Sequence, residues 1–142
     1  DSGMTARKIS QSPRSVVGTP AYFARHGVPA TPADLSCHSA VIHGRVGGGS
    51  WEFRRGSTEV SVAVNGRIRV NAAEGVRAAV LADMGLVISS EWMFEPELAS
   101  GALQRVLTEW ELPPVDLWAV YPGGRMASAK ARAFIDYVEK LL

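Results

Sequence analysis

Cysteine is almost absent from this sequence: Cys37 is the only one. A single thiol excludes an internal disulfide framework and agrees with a reducing compartment. Neither sign of charge is in excess, because 15 Lys plus Arg meet 14 Asp plus Glu for a formal net charge of +1. That balance supplies no broad electrostatic footprint for nucleic acid, so any action on DNA is expected of a part of the protein other than this chain. No apolar run approaches the length of a membrane span, and the opening DSGMTARKIS lacks the charged-then-apolar order of a secretory signal. A cytoplasmic location and no membrane partner are the expectations. Because the chain opens on Asp1 in the middle of polar sequence, it reads as a processed or truncated piece.

Catalytic and ligating motifs are missing as well. His43-Gly44 followed by Gly47-Gly48-Gly49 has the flavour of an esterase oxyanion loop, but no G-x-S-x-G elbow accompanies it. The same glycines lack the Gly-Lys-Ser/Thr ending of a phosphate-cradling loop, and no G-x-G-x-x-G leads from a strand into a helix. His26, Cys37, His38 and His43 are the only soft metal-ligand candidates, and they follow no zinc spacing. No cofactor, no metal and no catalytic residue are expected. The bare backbone at 44–50 suits a loop that approaches a ligand or a neighbouring lobe.

What is present is an ordinary globular composition, 46% hydrophobic and 20% charged, too apolar for a disordered chain. Two strands, Thr5 to Ile9 and Ser15 to Thr19, flank a Gln11-Ser12-Pro13 turn. Residues 21–26 read as a short helix closed by Gly27, and Thr31-Pro32-Ala33-Asp34 as a capped helical start. Ala40 to His43 is a short apolar strand. Trp51 to Phe53 and Val60 to Val64 alternate as antiparallel strands around Arg55-Gly56-Ser57, and Asn65-Gly66 turns the chain into a third strand at Arg67 to Val70.

Residues 72–84 place Ala72, Val76, Ala79, Val80 and Met84 at helical spacing, with Asn71 as the expected N-cap and Gly85 as the stop. Leu86-Val87-Ile88 is a buried strand of the parallel-sheet kind. Ser89 or Ser90 is placed to cap a helix to Leu98 that Pro96 bends. Strands at 103–107 and 115–120 follow, and then a helix at 128–141 capped by Ser128, with Ala131, Phe134, Ile135, Val138 and Leu142 as its apolar face. This order calls for an α/β fold with a mixed sheet, partly parallel and partly antiparallel.

Four tryptophans invite a stacking platform, yet Trp51 and Trp118 sit in apolar context and are expected in the core. Arg67 and Arg69 alternate on one strand face, with Glu52 and Glu59 on neighbouring strands, so a charge-compensated surface is expected there. Asn71 carries the most functional weight. It joins a strand's carboxyl end to a helix N-terminus, where free N–H groups and the helix dipole attract carboxylates in open α/β sheets.

Several stretches together carry a resemblance. They are 1–9 (DSGMTARKI), 17–27 (VGTPAYFARHG), 31–35 (TPADL), 51–53 (WEF), 70–86 (VNAAEGVRAAVLADMGL) and 128–137 (SAKARAFIDY). In order and spacing they resemble the effector-binding domain of bacterial LysR-type transcription regulators over essentially the whole chain. Ser89-Ser90 departs from the usual pattern, which has an apolar residue followed by proline, and the arginine-bearing loop at 44–50 is individual.

The resemblance implies a type 2 periplasmic-binding-protein-like fold of two lobes with mixed sheets, the first lobe incomplete. Residues 1–20 would belong to lobe I, 21–115 would form lobe II, and 116–142 would be the return strand and last helix of lobe I. The crossings would fall near Thr19-Pro20 and Pro113 to Val115. It implies a small-molecule effector in the inter-lobe cleft, with an organic anion the expected kind. The effector contacts would be His43, Gly44, Ser50, Val70, Asn71 and Ala72, with Thr19 at the crossing. DNA would be bound through a helix-turn-helix domain absent from this chain, and a homo-oligomer would use helix 72–84. The rival reading is a solute-binding protein of a transport system with the same architecture; an enzyme on this fold lacks a convergent acid, base or nucleophile set. A lobe short of part of its own layers exposes apolar surface, so the isolated chain is expected to self-associate in sedimentation experiments. A strictly monomeric chain at high concentration would count against that.

Overall fold

The computed structural model describes residues 3–44, 49–122 and 128–141. The chain divides into two compact units, one of residues 1–12 with 114–142 and one of residues 13–113.

The smaller unit pairs β1 (Met4–Ser12) antiparallel with the last strand, Val115–Pro122, through a register that shifts between Lys8 and Ser10. A helix, Ala129–Leu141, follows that strand, and the Ser128 hydroxyl caps it by accepting the Ala131 N–H at 3.1 Å. Arg7, opposite Ala119 in the register, reaches this helix through Asp136 at 2.9 Å and Glu139. Trp118 lies on the other face, opposite Lys8, and is 51% exposed with Val120 60% exposed beside it. The expectation of a core Trp118 is therefore corrected: strand alternation sends it away from the helix-covered face. On the helix Ile135 is buried, while Phe134, Tyr137 and Leu141 are exposed. Leu142, expected on the apolar face of this helix, lies outside the described residues.

The larger unit begins with β2 (Arg14–Gly18), whose ladder partners are Val87–Ser90 on one side and Gln104–Val106 on the other, both antiparallel. Those partners place β2 in this unit, so the first passage between units falls at Ser12/Pro13 and not at Thr19-Pro20. The second passage falls at Pro113/Pro114. After β2 come α1 (Pro20–His26) and a 3-10 helix, Pro32–Cys37. Gly27 closes α1 at φ 82, and the Asp34 carboxylate accepts the Thr31 N–H at 2.8 Å and the Ala30 N–H at 3.0 Å.

β3 (Ser39–His43) follows, then a hairpin of β4 (Ser50–Arg55) and β5 (Thr58–Ala63). Residues 45–48 of the glycine-rich loop lie outside the described residues. β6 (Asn65–Val70) does not extend the hairpin; it pairs parallel with β3, from Ser39 opposite Asn65 to His43 opposite Val70. Asn65-Gly66 is thus the start of a strand and not a hairpin turn. Gly66 permits this because a Cβ there would stand 2.5 Å from Ile42 Cγ1.

α2 spans Ala73–Leu81, shorter than the expected 72–84, and its N-cap is Ala72 with no side-chain bond rather than Asn71. The helix ends early because Ala82 caps it and Asp83 turns left-handed at φ 59. β7 (Val87–Ser90), α3 (Glu91–Ser100), β8 (Gln104–Val106) and the strand Val115–Pro122, now β9, complete the order, with α4 at Ala129–Leu141. Ser90 occupies the N-cap of α3 without a side-chain bond, and α3 kinks at Phe94, two residues before Pro96.

Leu86 joins the two ladders. Its N–H donates to the Ser39 carbonyl at 3.0 Å and its carbonyl accepts the Val41 N–H at 2.8 Å, a parallel bridge between β3 and the start of β7. The strands therefore form one mixed surface with a core on each face. Val16, Tyr22, Phe23, Leu35, Ala40, Ile42, Trp51, Phe53 and Leu86 pack on one face, under α1, the 3-10 helix and the hairpin. Val17, Val41, Val76, Val80, Val87, Phe94 and Leu103 pack on the other, under α2 and α3. Gly85 makes the bridge possible: at φ 156 a Cβ would stand 2.5 Å from the Ser39 carbonyl oxygen. Gly85→Ala is expected to destabilise the chain by about 2–4 kcal/mol in urea unfolding, from overlap plus backbone strain. Gly49→Ala, which meets nothing within 4 Å, is expected to stay within about 0.5 kcal/mol.

Candidate functional site

The parallel pairing of β3 and β6 gives the larger unit two distinct ends. At the carboxyl end His43 stands opposite Val70, the Gly44 N–H donates to the Val70 carbonyl at 3.0 Å, and Asn71 and Ala72 lead directly into α2. His43 and Asn71 are both exposed. Among the described residues neither forms a side-chain hydrogen bond, which leaves their polar atoms free for a ligand. The first helical bond of α2 runs from the Val76 N–H to the Ala72 carbonyl at 3.1 Å, so the N–H groups of Ala73, Glu74 and Gly75 are unclaimed by the helix. Gly75 lets this helix start sit tightly over the strand end, since a Cβ would stand 2.5 Å from Val70 Cγ1. The dipole and free donors favour an anion there, although Glu74 in the first turn already supplies one negative charge.

Five of the seven sequence-named residues, His43, Gly44, Val70, Asn71 and Ala72, thus converge at one strand end. Ser50 opens β4 and spends its hydroxyl on Ser61 Oγ at 2.5 Å and on Glu52 at 3.2 Å. Thr19 is not with them. It is buried as the N-cap of α1, its Oγ1 accepting the Tyr22 N–H at 3.0 Å and donating to the Asp83 carboxylate. Asp83 precedes the Leu86 bridge to Ser39 and Val41, so Thr19 belongs to the amino end of the β3–β6 ladder. The sequence placed Thr19 at a passage between lobes, and β2 carries it away from that passage instead.

A cleft of about 230 Å³ lies at this amino end, lined by Tyr22, His26, Ser39, Arg67, Ile68, Asp83 and Met84. Sequence reasoning did not anticipate it, because its residues come from four separate segments. Arg67 is drawn into it and does not face Glu52 or Glu59, whose hairpin pairs with neither β3 nor β6. The Thr19 hydroxyl, and secondarily Arg25 at 3.0 Å, hold the Asp83 carboxyl below its ordinary range. Behind the cleft the buried Tyr22 hydroxyl accepts the Ser39 N–H at 3.0 Å and shares a hydrogen bond of 3.2 Å with His38 Nδ1. The His26 ring stacks on Tyr22 at 4.4 Å. Burial, with His26 nearby as a second cause, pushes the His38 pKa down.

A larger unit that combines parallel and antiparallel pairing and a smaller unit with an antiparallel pair belong to the periplasmic-binding-protein-like class of effector-binding domains. The comparisons give the family. The family model of the LysR substrate binding domain matches residues 1–142. An HTH-type transcriptional regulator of Xanthomonas campestris is 33% identical over 97% of this chain and 42% of its own length. The full-length virulence activator AphB of Vibrio cholerae, a member of the same regulator family, superposes with a TM-score of 0.84 at 26% identity over 99% of this chain and 49% of that one. The regulatory domain of CrgA from Neisseria meningitidis shares the fold with a TM-score of 0.85 at 24% identity, over the whole of this chain and 70% of that one. The chain belongs to the LysR substrate-binding domain family, and it spans less than half the length of the curated relatives it matches.

Because the folded state disfavours protonated His38, the unfolded chain binds that proton more readily, and stability falls as pH drops below the ordinary histidine value of 6.5. The loss is complete only below the depressed folded pKa. Urea unfolding between pH 7.5 and 5 is expected to show this decline, and His38→Asn is expected to flatten it.

Proposed function

We propose that this chain is the effector-sensing part of a LysR-type transcription regulator and binds a small organic anion in the cleft beside His43, Gly44, Val70, Asn71 and Ala72. The observation that carries the proposal is the convergence of those five residues at the carboxyl ends of two parallel strands, with the free N–H groups of α2 beside them. Ser50 is kept as a contact from the loop's far side, while Thr19 supports α1 and does not touch the effector.

The effector acts by favouring one of two arrangements of the whole protein, and it must bind one arrangement better than the other to shift anything. DNA binding, the change in transcription and the location in the cytoplasm are properties of the whole regulator. The helix-turn-helix named in the relatives supports an additional DNA-binding part outside this chain. Homo-oligomerisation through α2 is supported by the exposed Ala78, Leu81 and Ala82 on that helix and its cap. Among the described residues no nucleophile is arranged with a base, and the relatives are transcription regulators, which favours a binding role over an enzymatic one.

A thermal-shift screen of the intact regulator against aromatic and aliphatic carboxylates and amino acids tests the site. A compound present at 100 times its dissociation constant stabilises by about 2.7 kcal/mol. Asn71→Ala is expected to abolish that shift while leaving the unliganded transition unchanged. A shift that survives the substitution overturns the placement.

A further inference from the structure

The effector site occupies the carboxyl end of the β3–β6 ladder, and the cleft at its amino end is a separate place. Ser39 and His43 begin and end β3, so roughly 13 Å of strand separates the two ends at ~3.3 Å per residue. The charges in this second cleft are unequal in their commitments. Asp83 is engaged by both Thr19 and Arg25, whereas Arg67 forms no hydrogen bond or ion pair among the described residues. The uncommitted charge is a guanidinium, whose planar fork fits a carboxylate with two parallel hydrogen bonds.

The rest of the lining matches the body of such a ligand. Ile68 and the thioether of Met84, which is 48% exposed, offer apolar contact. The exposed His26 ring offers an aromatic wall backed by the buried Tyr22 on which it stacks, and the Tyr22 hydroxyl is tied to Ser39 and His38 and the His26 Nδ1 to the Tyr22 carbonyl at 3.1 Å. Ser39, whose hydroxyl makes no hydrogen bond of its own among the described residues, lines the same space. A volume of about 230 Å³ is below the roughly 300–1,000 Å³ of sites for drug-sized ligands, which limits the occupant to a small molecule.

The geometry points to a second ligand site at the amino ends of β3 and β6, taking a small monocarboxylate whose acid group pairs with Arg67 and whose apolar body lies against Ile68, Met84 and the Tyr22–His26 stack. Its occupant would tie α1, β6 and the segment after α2 together. Of these, β6 belongs to the ladder whose other end carries the proposed effector contacts.

Sodium benzoate is the probe. Titrated into the intact chain and followed by NMR, it is expected to give saturable shifts at the Met84 methyl and the backbone amides of Ser39 and Ile68. Arg67→Gln, at an exposed position outside the core, is expected to weaken binding at least tenfold, and benzamide, the neutral isostere, to bind no better than that variant does. Asn71→Ala is expected to leave these shifts unchanged, which separates this site from the effector cleft. The proposal is overturned by shifts confined to His43 and Asn71, by an Arg67→Gln chain that binds benzoate unchanged, by benzamide binding as well as benzoate, or by no saturation at tens of millimolar.

Discussion

The larger unit depends on one exchange of backbone hydrogen bonds, from Leu86 N–H to the Ser39 carbonyl and from Val41 N–H to the Leu86 carbonyl. Without it, the parallel pair β3–β6 and the antiparallel trio β7–β2–β8 would be separate ladders, each with an unsatisfied edge. With it, they form a continuous surface on which Leu86 and Val41, both fully buried, point into opposite cores. The constraint behind the exchange is steric. Gly85 must bring its backbone against Ser39, and no side chain fits in the gap.

Both candidate ligand sites follow from that surface. Parallel pairing of β3 with β6 gathers two strand ends and a helix start on one side, together with backbone donors and the side chains of His43 and Asn71, which form no hydrogen bond among the described residues. The opposite end receives what the return connections leave there: α1 after β2, and the Asp83-Met84 turn after α2. Thr19 shows how tightly that end is organised, since one hydroxyl caps α1 and holds Asp83 at the same time. The carboxyl-end site is the one proposed for the effector, and the amino-end cleft is built from side chains of α1, β3, β6 and the turn after α2.

Much of the fold was legible because local chemistry specified it. Alternation in Trp51 to Phe53 and in Val60 to Val62, the Asp34 carboxylate over its own helix start, Gly27 after α1 and Ser128 before α4 all act within a few residues. Val70, Asn71 and Ala72 adjoin for the same local reason, because a strand leads straight into a helix, whereas His43 and Gly44 reach them only through the parallel pairing of β3 with β6. Three readings failed where distant partners decide. Asn65-Gly66 has the composition of a hairpin turn, yet β6 gains more by pairing with β3. Trp118 is apolar, yet its register opposite Lys8 sends it to the exposed face. Thr19 was assigned to a passage between lobes, yet β2 is claimed by β7 and β8.

The sequence by itself determined the class: an α/β chain of balanced charge, without a disulfide framework or catalytic motif, with a strand-to-helix junction at Val70 to Ala73 and a family pattern along its whole length. Only the tertiary structure decided which strands are neighbours, where the chain passes between its units, and that Arg67 faces a cleft and not a paired acidic surface. The physical reason is the range of the forces involved. Caps, turns and alternation are satisfied by residues close in sequence, whereas strand pairing and the placement of a charge are settled by hydrogen bonds and packing between segments that meet only on folding.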